Sequence, residues 1–410
     1  MKMRNRALSF WLLFLMAIFP AVSLFAAGIE IDGYFKNFQM NIEPPQYLSY
    51  GRAGGGLLGA NTTRLRIDGA ADLNRGLKLF ASYTASANVL ESSLGQLLNI
   101  STSQSGYRID DIRSRIYPAP GNDPGSLRLN QNLDRFYIAW SGPLDLYLGR
   151  QPFGWGAGKT VNPTDVLAPF RFDELDREER VGLDALRAIY PLGVMSEIDA
   201  GVIPGEDAEA ENSAAYLRGR TYLARTDFSA TVIIYRENFL AGLDAARSVG
   251  GSGVWLEAAY NRVENDFALE EFVRLVAGWD RSFFQARMYT WCEYHYNGAG
   301  AGERKDYYSN INSHPAYGES GVFLMGRHYL LPAVTWQFTP LISGTGQFFI
   351  NLADGSVLFA PALEYNIGKN IYLGGGGYLG FGESSGQAAG AASEFGEYGR
   401  VIYFSMRYYY

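Results

Sequence analysis

The chain has 410 residues, with 42 acidic against 35 basic side chains and a formal net charge of −7. This acidity argues against nucleic-acid binding, and the single cysteine, Cys292, excludes an intramolecular disulfide. Aromatic residues are 15% of the chain, and with 28 Tyr, 25 Phe and 48 Gly they are typical of a β-barrel with aromatic girdles and tight turns.

The N-terminus has the layout of a secretory signal peptide. An apolar stretch over residues 7–25 ends at the small residues Ala26 and Ala27, and three cations precede it: Lys2, Arg4 and Arg6. The stretch is too short, and too close to those small residues, to favour a spanning helix. We predict a cleaved signal peptide over residues 1–26, with cleavage after Ala27 or Ser23 as alternatives. The absence of a nearby cysteine excludes a lipoprotein anchor.

Alternation of apolar and polar residues follows, in segments separated by short and long connections in turn, and this pattern indicates barrel strands. The first strand, over residues 29–42, begins beside the cleavage site and leaves no room for a plug, which counts against a TonB-dependent receptor. The further segments are 63–74, 77–88, 136–140, 144–149, 215–226, 228–236, 254–262, 272–279, 284–296, 325–338, 342–352, 357–365 and 371–379, with weaker ones at 183–190 and 194–203.

Strand parity completes the fold prediction. Both chain ends belong on the periplasmic side, so the number of strands must be even. Taking the weak segment 239–249 as a strand restores that parity and makes residues 250–252 a short periplasmic turn. We expect one domain over residues 27–410: an all-β, transmembrane, antiparallel up-and-down barrel of about 18 strands, with 16 as the alternative. Six long connections then fall on the outer side: 43–60, 90–131, 152–181, 205–213, 298–321 and 382–397.

The same alternation predicts which charges line the lumen. It turns Leu65 and Ile67 to lipid and Arg64 and Arg66 inward. The other predicted wall arginines are Arg135, Arg218 and Arg220. Further inward charges are Arg274, Arg287, Arg327, Arg407, Asp145, Asp244, Glu257, Glu293 and Glu364. These charges either set a selectivity or pair with one another in a wet interior, and both interpretations stay open.

The densest motif lies in the third long connection and its flanks. It has Gly-Arg-Gln at 149–151, Trp-Gly-Ala-Gly at 155–158, Asn-Pro-Thr-Asp at 162–165 and Glu-Glu-Arg-Val-Gly-Leu-Asp at 178–184. In this order the segments resemble a widespread, largely uncharacterised group of porin-like Gram-negative outer-membrane β-barrels. The resemblance covers residues 148–187 and the terminal strand, and it implies a channel.

Glycines and prolines in this connection predict a path that folds back into the barrel. A short helix over residues 173–180 is plausible, because acids come early and arginines late. In general porins an acidic loop of this kind faces an arginine-lined wall, so the resemblance implies a pore constriction. Its candidate residues are Lys159, Asp165, Asp173, Glu174, Asp176, Arg177, Glu178, Glu179 and Arg180. The alternative is a solvated charged face outside the barrel.

Two features mark the last strands. Gly374 and Gly376 interrupt a strand and would face inward, which leaves room for an in-folded loop or simply gives curvature. Residues 401–410 alternate up to a terminal tyrosine and resemble the closing strand of Gram-negative outer-membrane barrels, where the terminal aromatic belongs to the signal read by the assembly machinery. The resemblance implies an assembly signal in Phe404, Met406, Tyr408 and Tyr410. A soluble edge strand is the alternative.

The sequence contains no convincing motif for an enzyme or for a cofactor site. Residues 156–160 look like the end of a phosphate-binding loop, but Phe153 stands where the first glycine is needed. None of the histidines, His295, His314 and His328, lies beside a serine in a hydrolase pattern. Acidic loop residues lack the spacing of a calcium loop. We therefore expect no enzyme activity, no metal and no other cofactor.

The function we predict is a channel in the Gram-negative outer membrane for passive diffusion of small polar solutes. Its partners would be outer-membrane lipid, the assembly machinery and the solutes themselves, while the oligomeric state stays open. The alternative is a non-conducting barrel that supports surface structure, adhesion or polysaccharide export. Electrical conductance separates the two.

Overall fold

The computed structural model describes residues 28–43, 57–74, 76–91, 106–119, 122, 125–264, 269–384 and 392–410. The predicted signal peptide and its cleavage site lie outside this part of the chain. Within it, no helix has the length and apolar character needed to cross a membrane.

Antiparallel strands make up most of the described chain. They are β1 (Ile29–Glu43), β2 (Leu58–Asn74), β3 (Leu77–Leu90), β4 (Arg115–Tyr117), β5 (Leu127–Trp140), β6 (Asp145–Pro152), β7 (Gly182–Pro191), β8 (Ser196–Ile203), β9 (Ala214–Leu223), β10 (Thr226–Tyr235), β11 (Asn238–Val249), β12 (Ser252–Glu264), β13 (Leu269–Phe283), β14 (Met288–Asn297), β15 (His328–Thr339), β16 (Ile342–Asn351), β17 (Val357–Gly368), β18 (Ile371–Phe381) and β19 (Arg400–Tyr409). Helices α1 (Tyr307–Ser313) and α2 (Ala316–Glu319) and three 3-10 turns (Glu206–Ala208, Ala210–Asn212 and Arg304–Asp306) lie in connections.

Eighteen of these strands close into one barrel. Each pairs with its neighbours in sequence, except that β3 pairs directly with β5, since β4 is a three-residue addition to β5. The ring closes where β1 pairs with β19, and there Gly33 and Tyr410 exchange backbone hydrogen bonds of 3.2 and 3.1 Å. Closure leaves no unpaired sheet edge. The predicted count of 18 is confirmed, and the weak segment 239–249 is strand β11.

The two ends of the barrel differ as the parity argument predicts. Both ends of the described chain and the short turns lie at one end, which we call the turn end. Gly250 and Gly251, with φ of 58° and 80°, make a two-residue turn between β11 and β12 there. The long connections lie at the opposite end, which we call the loop end.

Inward and outward faces follow the predicted alternation on most strands. Ile67 is 46% exposed on the outside, whereas its neighbour Arg66 is 2% exposed within. The expectation for Arg287 and Arg327 is wrong, because neither lies in a strand. Left-handed backbone at residues 284–286 makes the turn that follows β13, and Arg287, the residue before β14, donates to the carbonyl of Phe338. Arg327 precedes β15 and donates to the carbonyl of Gly300.

Residues 153–181, the third long connection, fold into the barrel, and we call them the inner loop. On one side Phe153 and Trp155 pack into a buried apolar cluster with Tyr216 and Leu240 of the wall. On the other side Phe172 joins a second apolar cluster. The inner loop therefore packs against the barrel wall through two separate apolar clusters.

Candidate constriction of the lumen

A wall carboxylate anchors the first half of the inner loop. Glu257 of β12 is fully buried, and its Oε2 accepts the backbone N–H groups of Ala157 at 2.8 Å and Gly158 at 3.0 Å. Its Oε1 accepts both the N–H and the hydroxyl of Thr164, each at 2.8 Å. One carboxylate thus takes four hydrogen bonds from the loop, and these offset its burial.

A second carboxylate, Glu293 of β14, lies beside it. It accepts the N–H groups of Lys159 at 2.6 Å and Thr160 at 2.9 Å, and the indole N–H of Trp255 at 2.8 Å. The left-handed φ of Gly156, +108°, favours glycine there. The segment that resembles the end of a phosphate loop therefore presents its amides to an anion, but that anion belongs to the barrel wall.

The second half of the inner loop carries the acids, and we call residues 173–179 the acidic segment. The predicted helix over residues 173–180 is wrong, because these residues are irregular, with bends and no helical turn. Asp173 accepts hydrogen bonds from Arg171 at 2.9 Å and from the hydroxyl of Tyr398 at 2.6 Å. Other acids of the segment pair with different strands of the wall. A helix of two turns is only weakly favoured by its own sequence, so these contacts with distant residues determine the backbone path.

Two cations of β1 and β2 meet this segment. The ammonium of Lys36, fully buried, lies 3.0 Å from Asp176 and 2.6 Å from Glu178. Arg64 lies 2.9 Å from the other oxygen of Asp176. The sequence predicted Arg64 but missed Lys36, although the alternation of β1 already placed Lys36 on one face with Tyr34.

Further pairs extend around the wall. Arg135 lies 2.5 Å from Glu179, and Arg66 lies 3.7 Å from the same carboxylate while it pairs with Asp134 at 2.6 Å. Arg407 of β19 lies 3.1 Å from Glu178, whose carboxylate also accepts the hydroxyl of Tyr409 at 2.7 Å. Arg407 pairs in addition with Glu364 of β17. The acidic segment is thus bound to the first strands and to the last.

Two predicted wall arginines lie elsewhere. Arg218 donates to the hydroxyl of Ser229 at 3.1 Å, and Arg220 lies 3.3 Å from Glu197, so both bond to neighbouring strands. The side of the lumen that contains β9 holds the apolar cluster with Trp155, and this cluster separates β9 from the acidic segment.

The remaining candidate residues of the inner loop do not contact the predicted wall arginines. Lys159 lies 3.3 Å from Asp280 and over the ring of Trp255. Arg180 pairs with Asp165 inside the loop itself. Arg177 donates to the carbonyls of Phe172 and Glu174.

Burial and hydrogen bonding act in opposite directions on the loop acids. Burial raises the pKa of Asp165 and of Glu174 above the usual range. Burial also acts to raise the pKa of Glu178, but hydrogen bonds from Lys36 and Tyr409 outweigh it and hold that pKa below its ordinary value. Glu178 therefore carries its negative charge in the lumen at neutral pH.

Open space remains beside the acidic segment. A space of about 420 Å³ lies between Asp176, Glu178 and the wall at Arg407. A second space, of about 410 Å³, continues past Glu178 and Arg407 toward Tyr409. We call these two spaces together the lateral passage. On the other side of Asp176 lies a space of about 210 Å³ lined by Arg64 and Arg66.

The inward glycines of β18 allow close packing within the barrel wall. A Cβ at Gly374 would lie 2.6 Å from the hydroxyl of Ser405, and one at Gly376 would lie 2.7 Å from the hydroxyl of Tyr403. Ser405 and Tyr403 belong to β19, and at Gly376 the backbone carbonyl of Pro361 in β17 is closer still, at 2.4 Å. These glycines therefore make room for the inward side chains of the adjacent strand, which in turn line the lateral passage.

Comparison with known proteins shows which solved structures have a similar fold. No protein-family model and no curated protein matches the chain. Among solved structures, it is similar to Pseudomonas aeruginosa OpdK with vanillate (TM-score 0.55, 8% identity, 93% of this chain and 98% of that one). It is also similar to a BenF-like porin of Pseudomonas fluorescens Pf-5 (0.54, 9%, 94% and 99%) and to Acinetobacter baumannii OccAB2 (0.55, 8%, 93% and 98%). At such low identity the similarity concerns the fold, and the chain has the 18-stranded fold of these porins.

Proposed function

We propose that this chain is a porin-like channel of the Gram-negative outer membrane, through which small polar solutes diffuse passively. The porin fold supports the membrane location, together with the apolar outward face of the strands, on which Leu148, Leu217 and Leu243 are each more than half exposed. The proposal includes a cleaved signal peptide over residues 1–26, outer-membrane lipid around the barrel, and recognition of the terminal strand by the assembly machinery.

The observation that carries this proposal is the placement of the acidic segment across the lumen. Asp176 and Glu178 form ion pairs with Lys36, Arg64 and Arg407, and open space lies on both sides of the segment. Fixed charges that line a narrow wet passage orient polar solutes and select among ions. We assign the pore constriction to the acidic segment and the pore wall to the cations that face it.

Planar-bilayer recording of the purified protein tests the channel function. Replacing the acidic segment by a short Gly-Ser linker should raise single-channel conductance, because the segment occupies the lumen while residues 153–165 stay anchored. The paired change Asp176→Asn and Glu178→Gln should shift the reversal potential toward anions, since the opposing cations remain. The shift should shrink near 1 M salt, where charges are screened over about 3 Å.

Asp244→Asn is the matched control, because Asp244 is an inward acid of β11 that accepts a hydrogen bond from Ser229 and does not touch the inner loop. It should leave conductance and selectivity unchanged. A folded barrel without conductance would refute the channel and favour the scaffold for surface structure, adhesion or polysaccharide export.

A further inference from the structure

Four polar side chains form a hydrogen-bonded group on the outer face of the barrel. They are Asn37 and Gln39 of β1 and Asn61 and Thr63 of β2, and their cross-strand pairing sets all four on the face opposite to the buried Lys36. Asn37 donates to Asn61 at 3.1 Å and to the hydroxyl of Thr63 at 2.8 Å, and Asn61 donates to Gln39 at 3.1 Å. We call these four residues the amide face.

The amide face lies inside the apolar outer surface and not at its rim. Gln39 pairs in register with Phe404 of β19, which is 53% exposed. On its other side Asn61 pairs with Val89 of β3, which is 43% exposed. Because barrel strands are tilted, one of these two apolar neighbours lies deeper in the membrane than the amide face and the other less deep. In the proposed membrane location the amide face therefore meets lipid chains, which offer no hydrogen bonds.

Part of the hydrogen-bonding capacity of this region is unused. One N–H of the exposed Gln39 amide donates to the carbonyl of Ala60 at 3.2 Å, and the other has no acceptor among the described residues. Asn41, the next outward residue of β1, is exposed and makes no side-chain hydrogen bond within the described chain. Polar groups without partners are costly in hydrocarbon, and in membrane proteins such groups bond across contacts between packed elements. A polar partner in the plane of the membrane would therefore stabilise this side of the barrel.

A second copy of the chain has the chemistry that fits. An amide both donates and accepts hydrogen bonds, so one amide face is complementary to another. Two copies stand upright in the same membrane, and a two-fold axis along the membrane normal sets equal residues at equal depth, with Gln39 near Gln39 of the other copy. The same axis sets β19 of one copy against β3 of the other. The large outward side chains of β19, Met406 and Phe404, then face the small Ala85 and Ala87.

We propose that the amide face is the contact between two copies of this chain, paired about a two-fold axis in the outer membrane. In a ring of three, the two contact lines of each barrel lie about 60° apart, which is roughly three strands of the 18. The amide face would then border the central gap, or it would meet a mainly apolar line. At β5 and β6, for example, Phe136 and Leu148 are exposed, and Gln131 already bonds to Tyr83.

Direct contact between two amide faces is therefore specific to the pair. The contact lies outside the lumen, so the inference needs the proposed membrane location but not conductance.

Sedimentation equilibrium of the purified full-length protein in mild detergent measures the association. The parent should form two-chain particles. The double variant Gln39→Leu and Asn61→Leu should raise the Kd of self-association about tenfold or more, because the hydrogen bonds between the copies are lost. The variant should fold, since an outward leucine such as Leu65 of the same strand suits lipid.

Ser196→Val with Thr221→Val is the matched control. These two outward hydroxyls bond to each other at 2.8 Å on β8 and β9, away from the amide face. Their loss should leave the Kd of self-association unchanged.

Cross-linking in native outer membranes tests the contact without detergent and does not depend on the leucine variant. In a Cys292→Ala background, Gln39→Cys should join two chains through a short thiol-specific cross-linker, because the two-fold axis passes beside this residue. Leu243→Cys is the control, since Leu243 is exposed on the outer face of β11, half-way around the ring. It should give single chains under the same conditions.

Three results would overturn the pairing: single chains by both methods, three-chain particles, or an unchanged Kd in the folded leucine variant. Single chains that keep lipopolysaccharide bound through purification would also overturn it, because lipid would then cover the amide face. Conductance of the same preparations separates these outcomes from failure of the channel. Single barrels that conduct refute the pair alone, whereas paired barrels without conductance refute the channel and leave the pair standing.

Discussion

Single residues decide where the inner loop lies, and the most important are the carboxylates of Glu257 and Glu293. Each is fully buried on an inward face, where an ionised group without hydrogen bonds would be very unfavourable. The loop amides offset part of that penalty and are themselves satisfied by the same contacts. The loop is therefore held in place by the two wall carboxylates, and these carboxylates in turn depend on the loop amides for their hydrogen bonds.

The double variant Glu257→Gln and Glu293→Gln should loosen this attachment. An amide of the same size loses the charge and one acceptor oxygen, and hydrogen bonds to charged groups contribute about 1.5–3 kcal/mol each. We expect folded barrels whose single-channel currents show added noise and substates, because the loop leaves its position part of the time. Quiet currents identical to those of the parent and of Asp244→Asn would contradict the anchoring role.

Some site residues could be predicted from the sequence and others could not. Arg64, Arg66 and Arg135 followed from alternation, although β5 has a bulge at Asp134 beside Arg135. Lys36 was open to the same argument but was missed. Arg218 bonds to a neighbouring strand and not to the loop. This depends on how Phe153 and Trp155 pack, which no local sequence pattern encodes. The role of Glu257 as an anchor likewise needs the folded loop.

At the scale of elements, β19 closes the ring and carries the proposed assembly signal. Ile402 and Phe404 are each more than half exposed on the outer face, as the alternation predicted. Tyr410 lies over Gly33, and its hydroxyl donates to the backbone carbonyl of Arg66 at 2.8 Å. The last residue therefore bridges β19 to both β1 and β2.

Replacing Tyr408 and Tyr410 by Ser should leave export intact but lower the amount of folded barrel in the outer membrane several-fold. The reason is that both the terminal aromatic face and the contact with Arg66 are lost. Heat-modifiable migration of the protein in membrane fractions measures this. Tyr190→Ser, an exposed outward tyrosine of β7, serves as the control, and equal barrel levels in both variants would refute the signal.

Elements also show the limits of local patterns. The weakly alternating strand β11 was found by counting parity, a constraint on the whole ring, and not by its own sequence. The helix expected at residues 173–180 does not form because Asp173, Asp176 and Glu178 each bind a partner outside the acidic segment. Helix signals of two turns are weak, and contacts between distant elements override them.

At the scale of the whole molecule, the barrel has two ends that should face different compartments. Val194, 99% exposed, lies in the turn between β7 and β8, and Ser309 lies in α1 at the loop end. In a Cys292→Ala background, Ser309→Cys should react with an impermeant thiol reagent on intact cells. Val194→Cys should react only after the outer membrane is disrupted. Labelling in the opposite order would invert the proposed topology, and the Cys292→Ala parent is the control.

The contacts of the acidic segment also have a consequence for the order of folding. Asp176 meets Lys36 across 140 residues of chain, and Glu178 meets Arg407 across 229. Contacts between such distant residues form late, because the intervening chain must first be ordered. Glu178 cannot reach Arg407 and Tyr409 until the last strand is in place. The inner loop therefore gains its contacts with Arg407 and Tyr409 only when the last strand has taken its place in the ring.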